Sequence, residues 1–69
     1  MIEVYTSPTC IYCHALLDWF DELGVDYEEL DATKDPTIHS VPVTKIGDAK
    51  IVGFDRPALK RALKNANII

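Results

Sequence analysis

Apolar and polar residues alternate from Ile2 to Tyr5, which predicts a short half-buried strand at the start of the chain. Thr6-Ser7-Pro8-Thr9 then reads as a turn rich in helix-capping residues. Beyond it the period changes. Ile11, Ala15, Leu16, Trp19, Phe20 and Leu23 recur at helical spacing, with His14, Asp18, Asp21 and Glu22 mostly on the other side. Thr9 is the expected N-cap of this helix and Gly24 its C-terminal stop. Asp26 to Asp31 predicts a second strand through Tyr27 and Leu30, and Thr33 to Ser40 is polar and split by Pro36. Val41 to Ile46 and Ala49 to Phe54 predict two strands joined by Gly47-Asp48 as a hairpin. Asp55 is placed to cap a second helix, with Pro57 in its first turn and Leu59, Ala62, Leu63 and Ala66 as its apolar stripe.

The first three elements form a βαβ unit, which takes a right-handed crossover, and the last two strands form a hairpin. The order predicts an α/β fold with a four-stranded mixed sheet and both helices on one face, one domain over residues 1–69. Hydrophobic residues make up 48% and charged residues 26% of the chain, a balance that argues against disorder. The net charge of −4 argues against binding a nucleic-acid backbone, which needs clustered Lys and Arg. No apolar run approaches the roughly 18 residues of a membrane span. The first residues carry no basic segment followed by an apolar one, so no secretory signal is expected.

Cys10 and Cys13 are the only cysteines. A bridge between residues three apart closes a tiny loop and constrains the unfolded chain little, so chemistry explains the pair better than stapling does. Cys10 falls where the first strand turns into the first helix. There the unpaired N–H groups and the positive end of the helix dipole favour a thiolate. Residues three apart share a helix face, which holds Cys13 close enough to attack a mixed disulfide formed on Cys10. Two other readings compete. Cys10, Cys13, His14 and His39 could together complete a four-ligand zinc site. Cys10-Ile11-Tyr12-Cys13-His14 also matches the haem c attachment pattern, and with Met1 the only methionine its axial partner would be His39 or an exogenous ligand.

Tyr5-Thr6-Ser7-Pro8-Thr9-Cys10-Ile11-Tyr12-Cys13 resembles the active-site segment of glutaredoxins, which commonly read Cys-Pro-Tyr-Cys. Ser40-Val41-Pro42-Val43 resembles the family's Thr-Val-Pro segment, where the proline is cis, and Ile51-Val52-Gly53-Phe54-Asp55 its Gly-Gly-x-Asp region. The resemblance implies a thioredoxin-like fold and thiol–disulfide oxidoreductase activity in a reducing, cytoplasmic compartment. It implies that Cys10 is the nucleophile and Cys13 the resolving thiol. Tyr12, Val41, Pro42, Gly53 and Asp55 would then contact substrate or glutathione. No tightly bound cofactor and no metal are expected. Glutathione is the expected co-substrate, and the partners are disulfide-containing proteins.

Three departures sharpen these expectations. Glutaredoxins often carry a basic residue three before the nucleophile, where this chain has Ser7. Val52-Gly53 replaces the double glycine, and Gly53-Phe54-Asp55-Arg56 looks more like redoxins that serve ribonucleotide reductase and are recharged by thioredoxin reductase. The family places a full helix between the second strand and the Val-Pro segment. Only Ala32 to Ser40 is available here, so that helix is expected to be absent or one turn. The face it covers would be open, in keeping with polar interruptions at Glu3, Glu28 or Glu29, and Thr44 or Lys45. Tyr5 and Val43 or Val52 would be the contacts if a second subunit covered that face. A non-enzymatic module that binds metal or docks to a partner is the competing class.

Overall fold

The opening alternation becomes β1 (Ile2–Thr6), whose side chains are by turns buried and half-buried. In the computed structural model, which describes residues 2–69, β1 leads into α1 (Ile11–Leu23) and β2 (Glu28–Asp31). One 3₁₀ turn (Ala32–Lys34), β3 (Val43–Ile46), β4 (Ala49–Val52) and α2 (Arg56–Asn65) follow. The sheet runs in the order β2-β1-β3-β4. β1 and β2 are parallel, and the other two pairings are antiparallel. The expected mixed sheet is therefore present, and the middle helix is reduced to a single turn.

Register decides which residues share a face. Ile2 lies opposite Ile46, which lies opposite Ala49, and Val4 lies opposite Thr44, which lies opposite Ile51. Ile2, Val4, Ile46 and Ile51 pack in one cluster with Leu16, Trp19 and Phe20 of α1 and Leu59, Ala62 and Leu63 of α2. Both helices thus cover the same face. Each large apolar side chain buried there contributes about 1.5–3 kcal/mol. Trp19 stacks on Phe20 with ring centroids 5.6 Å apart, and Phe20 meets Tyr27 at 5.9 Å.

The buried stripe of α1 differs from the predicted one. Cys13, Leu16, Leu17, Trp19 and Phe20 are buried, whereas Ile11 and Ala15 are exposed. The sheet covers positions 13, 16, 17 and 20, and Cys13 acts there as a small apolar residue. On α2, Ala66 is likewise exposed, at the C-cap just past the last turn. Gly24 ends α1 as expected: at φ 70 it turns its N–H back to Asp21 and Phe20, a left-handed conformation that costs other residues energy. β2 starts at Glu28 and β3 at Val43, both later than the pattern predicts, the latter because Pro42 has no N–H to give a ladder. β4 stops at Val52, where Gly53 takes a φ of 86.

The opposite face is less open than expected. The chain between β2 and β3 crosses it as a strap. Asp31 accepts the Thr33 N–H at 2.9 Å and the Thr33 hydroxyl at 2.6 Å, and Asp35 binds Thr37 with the same two distances. These two turns replace helical hydrogen bonding with side-chain caps, and they hold both carboxyls below the usual carboxylate range. Thr37, Ile38, His39 and Ser40 form a cleft with Val43, Lys50 and Val52. Val43 is consequently buried and Lys45 lies 5.1 Å from the Tyr5 ring centroid, which leaves Val52 as the exposed member of the expected contacts. His39 belongs to this strap.

The polar interruptions divide between the faces. Lys45 faces the strap, while Thr44 faces the helices, fully buried, and its hydroxyl meets no hydrogen-bond partner among the described residues. An unpaired buried hydroxyl costs about 1–3 kcal/mol. Thr44→Val, which keeps the shape and removes the oxygen, is expected to stabilise the fold by about 1 kcal/mol. A urea denaturation midpoint above that of the unsubstituted chain, at an unchanged slope, is the outcome that checks it.

Candidate active site

β1 delivers the chain directly to the head of α1, and the cysteine pair sits at that joint. Cys10, not Thr9, is the N-cap, with φ −91 and ψ 107. Its Sγ accepts the Cys13 N–H at 3.2 Å, while its own N–H donates to the Ser7 carbonyl at 3.1 Å. Sulfur therefore takes the role usually filled by a Ser, Thr or Asp oxygen. A negative charge on that sulfur faces an amide proton and the positive end of α1.

The two thiols differ sharply in surroundings. Cys10 is half-buried and Cys13 is buried. Burial pushes the Cys13 thiol up to about 11, with the Cys10 hydrogen bond and the charges of Cys10 and Glu29 adding to it. A backbone hydrogen bond at Ser7 acts in the opposite sense. The dipeptide between the thiols is held outward, Ile11 at 75% and Tyr12 at 62% exposure.

Tyr5 pairs with Val43, so the Val41-Pro42 segment lies beside Thr6 and Ser7 at the same end of the sheet as Cys10. The Val41–Pro42 peptide bond is cis, as the resemblance implies. Pro42 is buried and Val41 half-buried, and the Pro42 carbonyl accepts the Gly53 N–H at 2.8 Å. Asp55 caps α2 through the Ala58 N–H at 3.2 Å. Arg56, the next residue, lies 5.7 Å from the Trp19 ring centroid and 5.2 Å from that of Phe54, distances of cation–π contact.

Among the described residues no group of three or more His, Cys, Asp and Glu side chains is arranged to hold a metal ion. Cys10, Cys13, His14 and His39 are not brought together: His14 is exposed on α1 and His39 lies in the strap. The structure does assemble a group of residues that the sequence pattern did not single out. The Thr6 hydroxyl donates to Glu29 Oε2 at 2.9 Å, and both line an open cleft of about 290 Å³ that also contains Cys13. The alternation of β2 leaves the face of Glu29 open, and its register opposite Val4 settles it.

A thiol raised from 9.0 to about 11 keeps its proton in the folded chain to higher pH than in the unfolded one. Its contribution to stability is then complete below about pH 9 and is lost as pH rises towards 11. Tyr27, also raised, acts in the same direction, so the comparison is made in a Tyr27→Phe background. Urea midpoints measured across the alkaline range are expected to fall less steeply once Cys13→Ala is added. Near neutral pH, iodoacetamide is expected to label Cys10 well before Cys13, read by peptide mass spectrometry.

Comparisons with known proteins agree with this geometry. The chain superposes on the glutaredoxin-like protein NrdH-redoxin of Escherichia coli, whose structure is described as the basis of a thioredoxin-like activity profile. The TM-score is 0.77 at 26% identity, over 87% of this chain and 91% of that one. The thioredoxin-like protein BC3987 matches with a TM-score of 0.80 at 30% identity, over 91% of this chain and all of the other. A buckwheat glutaredoxin solved with glutathione shares the fold, with a TM-score of 0.74 at 22% identity, covering 99% of this chain and 80% of its own. A curated relative, the Gene 56 protein of Mycobacterium phage D29, is 39% identical over 33 residues, which is 48% of this chain. The matched stretch spans only 37% of that relative's length. Residues 2–48 match the family model of glutaredoxins, and with the thioredoxin-like sheet and the Cys10–Cys13 joint they establish that the chain belongs to the glutaredoxin family.

Proposed function

We propose that the protein is a dithiol oxidoreductase that reduces disulfides in protein substrates or in glutathione mixed disulfides. The observation that carries this reading is the Cys13 N–H to Cys10 Sγ hydrogen bond at the head of α1. It stabilises charge on the more accessible sulfur, while burial keeps the second sulfur protonated and in reserve. Cys10 attacks the substrate disulfide, one sulfur–sulfur bond replaces another, and the first substrate thiol leaves. Cys13 then attacks Cys10, and the second substrate thiol leaves with the electron pair. Ile11 and Tyr12, both held outward beside Cys10, supply apolar contact for the incoming substrate. Val41, half-buried ahead of the cis bond, presents its backbone to an extended segment, with Pro42 packed behind it and its carbonyl held by the Gly53 N–H, and Gly53 and Asp55 are the further contacts assigned to substrate at the head of α2. The chemistry calls for no tightly bound cofactor, and it suits a reducing, cytoplasmic compartment. No described helix is long and apolar enough to cross a membrane.

Two observations favour thioredoxin reductase over glutathione as the source of electrons. The position three before Cys10 is Ser7, which offers no positive charge to a glutathione carboxylate. At the head of α2, Asp55 already supplies a carboxylate and the Arg56 guanidinium lies over two aromatic rings. The likeness to a redoxin with a thioredoxin-like activity profile supports the same reading.

Oxidised protein treated separately with reduced glutathione and with thioredoxin reductase plus NADPH, then alkylated and weighed, tests both levels. Opening of the disulfide by the reductase and much more slowly by glutathione is expected. Rapid opening through a glutathionylated Cys10 reverses the choice of reductant. A disulfide that neither reductant opens removes the oxidoreductase reading and brings forward a binding module. Cys13→Ser is expected to stop turnover with substrate still attached to Cys10, and Cys10→Ser to abolish it.

A further inference from the structure

The cleft on the β2 side of α1 has no part in the attack by Cys10. Its lining includes Thr6, Cys13, His14, Glu29 and Asp31. It touches the thiol that has the harder task. Cys13 must lose a proton before its sulfur can attack, and burial, the largest cause that raises its thiol, disfavours the thiolate in the mixed disulfide as it does in the free dithiol. Resolution at neutral pH needs a proton acceptor beside it.

Glu29 is placed for that task. The parallel register pairs it with Val4, on the helix-covered face, whereas Glu28 pairs with Glu3 on the other face. Thr6, at the end of β1, donates to Oε2 and so fixes one carboxylate oxygen at the cleft wall. The residue is exposed, which lets it exchange a proton with water. The charged and titratable groups facing Cys13 are Cys10 and His14 from α1 and Glu29 and Asp31 from β2, while Thr6 and Ser7 bring no charge. Asp31 is engaged by the Thr33 N–H and hydroxyl. His14 follows Cys13 directly and is turned about 100° around the helix from it.

Building on the dithiol reading above, we propose that Glu29 accepts the Cys13 proton in the resolving step. While ionised, Glu29 opposes a thiolate on Cys13. Moving the proton from Cys13 to Glu29 leaves the charge of the cleft unchanged and removes that opposition at the moment the sulfur becomes nucleophilic. The Cys13–Cys10 bond then forms as the Cys10–substrate bond breaks. The electron pair of the broken bond departs on the substrate sulfur, and the proton on Glu29 passes to that sulfur or to water. The dithiol is oxidised to a disulfide, the substrate disulfide is reduced to thiols, and Glu29 returns to a carboxylate.

Stopped-flow mixing of reduced protein with a nitrothiobenzoate disulfide tests this. The first coloured equivalent reports attack by Cys10 and the second reports resolution by Cys13. Glu29→Gln keeps an oxygen for Thr6 to donate to, so a structural role is retained. It is expected to slow the second phase about a hundredfold near neutral pH, with the deficit closing as pH approaches the Cys13 value and hydroxide takes over. Thr6→Val, which frees the carboxylate but keeps its charge, is expected to give a smaller loss in the same phase. A second phase in Glu29→Gln with the unsubstituted rate and pH profile overturns the proposal. So does a slowing that is equal at every pH, or a deficit that appears in His14→Gln instead. A second equivalent released by Cys13→Ser as fast as by the unsubstituted chain would overturn the dithiol reading itself.

Discussion

The hydrogen bond from the Cys13 N–H to Cys10 Sγ joins the architecture to the chemistry. It closes the first turn of α1, and it does so with the more accessible of the two sulfurs. A helix that begins on the last residue of a strand-to-helix turn must satisfy its orphan amides there. In this chain a sulfur meets that need. The position of Cys10 follows from the position of α1, and α1 is fixed by the packing of Leu16, Phe20 and Trp19 on the sheet. Core packing six to ten residues away thus sets the geometry of the Cys10 sulfur. Burial of Cys13 on the same helix face comes from that packing too, which is why one thiol is accessible and the other is not.

The small size of the chain is accommodated on the opposite face of the sheet. A helix there would add a third layer and a larger core. In its place the segment after β2 makes two Asp–Thr turns, Asp31 with Thr33 and Asp35 with Thr37. Each satisfies its own backbone locally, so the strap needs little tertiary support to hold its shape. It is nevertheless enough to bury Val43. The remaining face is tolerable to water because Glu3, Lys45 and Lys50 occupy it. The domain has two layers and a strap, and all of its large buried aromatic surface lies on the helix side.

Electrostatics divides the site in the same way as the fold does. On the Cys10 side stand amide protons, the head of α1 and apolar side chains turned outward. On the Cys13 side stand a carboxylate and a desolvated thiol in one cleft. The first environment suits a nucleophile, and the second suits a group that is activated only after the first step is complete. The two-step exchange proposed above would draw on two different surroundings of residues three apart.

Much of this was legible in the chain itself. Two periods, the punctuation by Gly24, Gly47 and Pro57, and the Cys-x-x-Cys pair at a strand-to-helix joint define the order of elements, the mixed sheet and the candidate site. They do so because helix and strand periodicity and turn chemistry are local properties. The shortage of residues between Asp31 and Val41 likewise foretells the missing helix. What stayed hidden depends on register and contact. The pattern placed Ile11 and Ala15 inside, since it cannot tell where the sheet ends, and it named Thr9 as the cap although Cys10 takes that role. It left Thr44 and Lys45, and Glu28 and Glu29, undecided, because a shift of one residue exchanges the two faces of a strand. Only the paired sheet puts Thr44 in the core and Glu29 beside Cys13, through a Thr6 hydrogen bond spanning twenty-three positions of sequence.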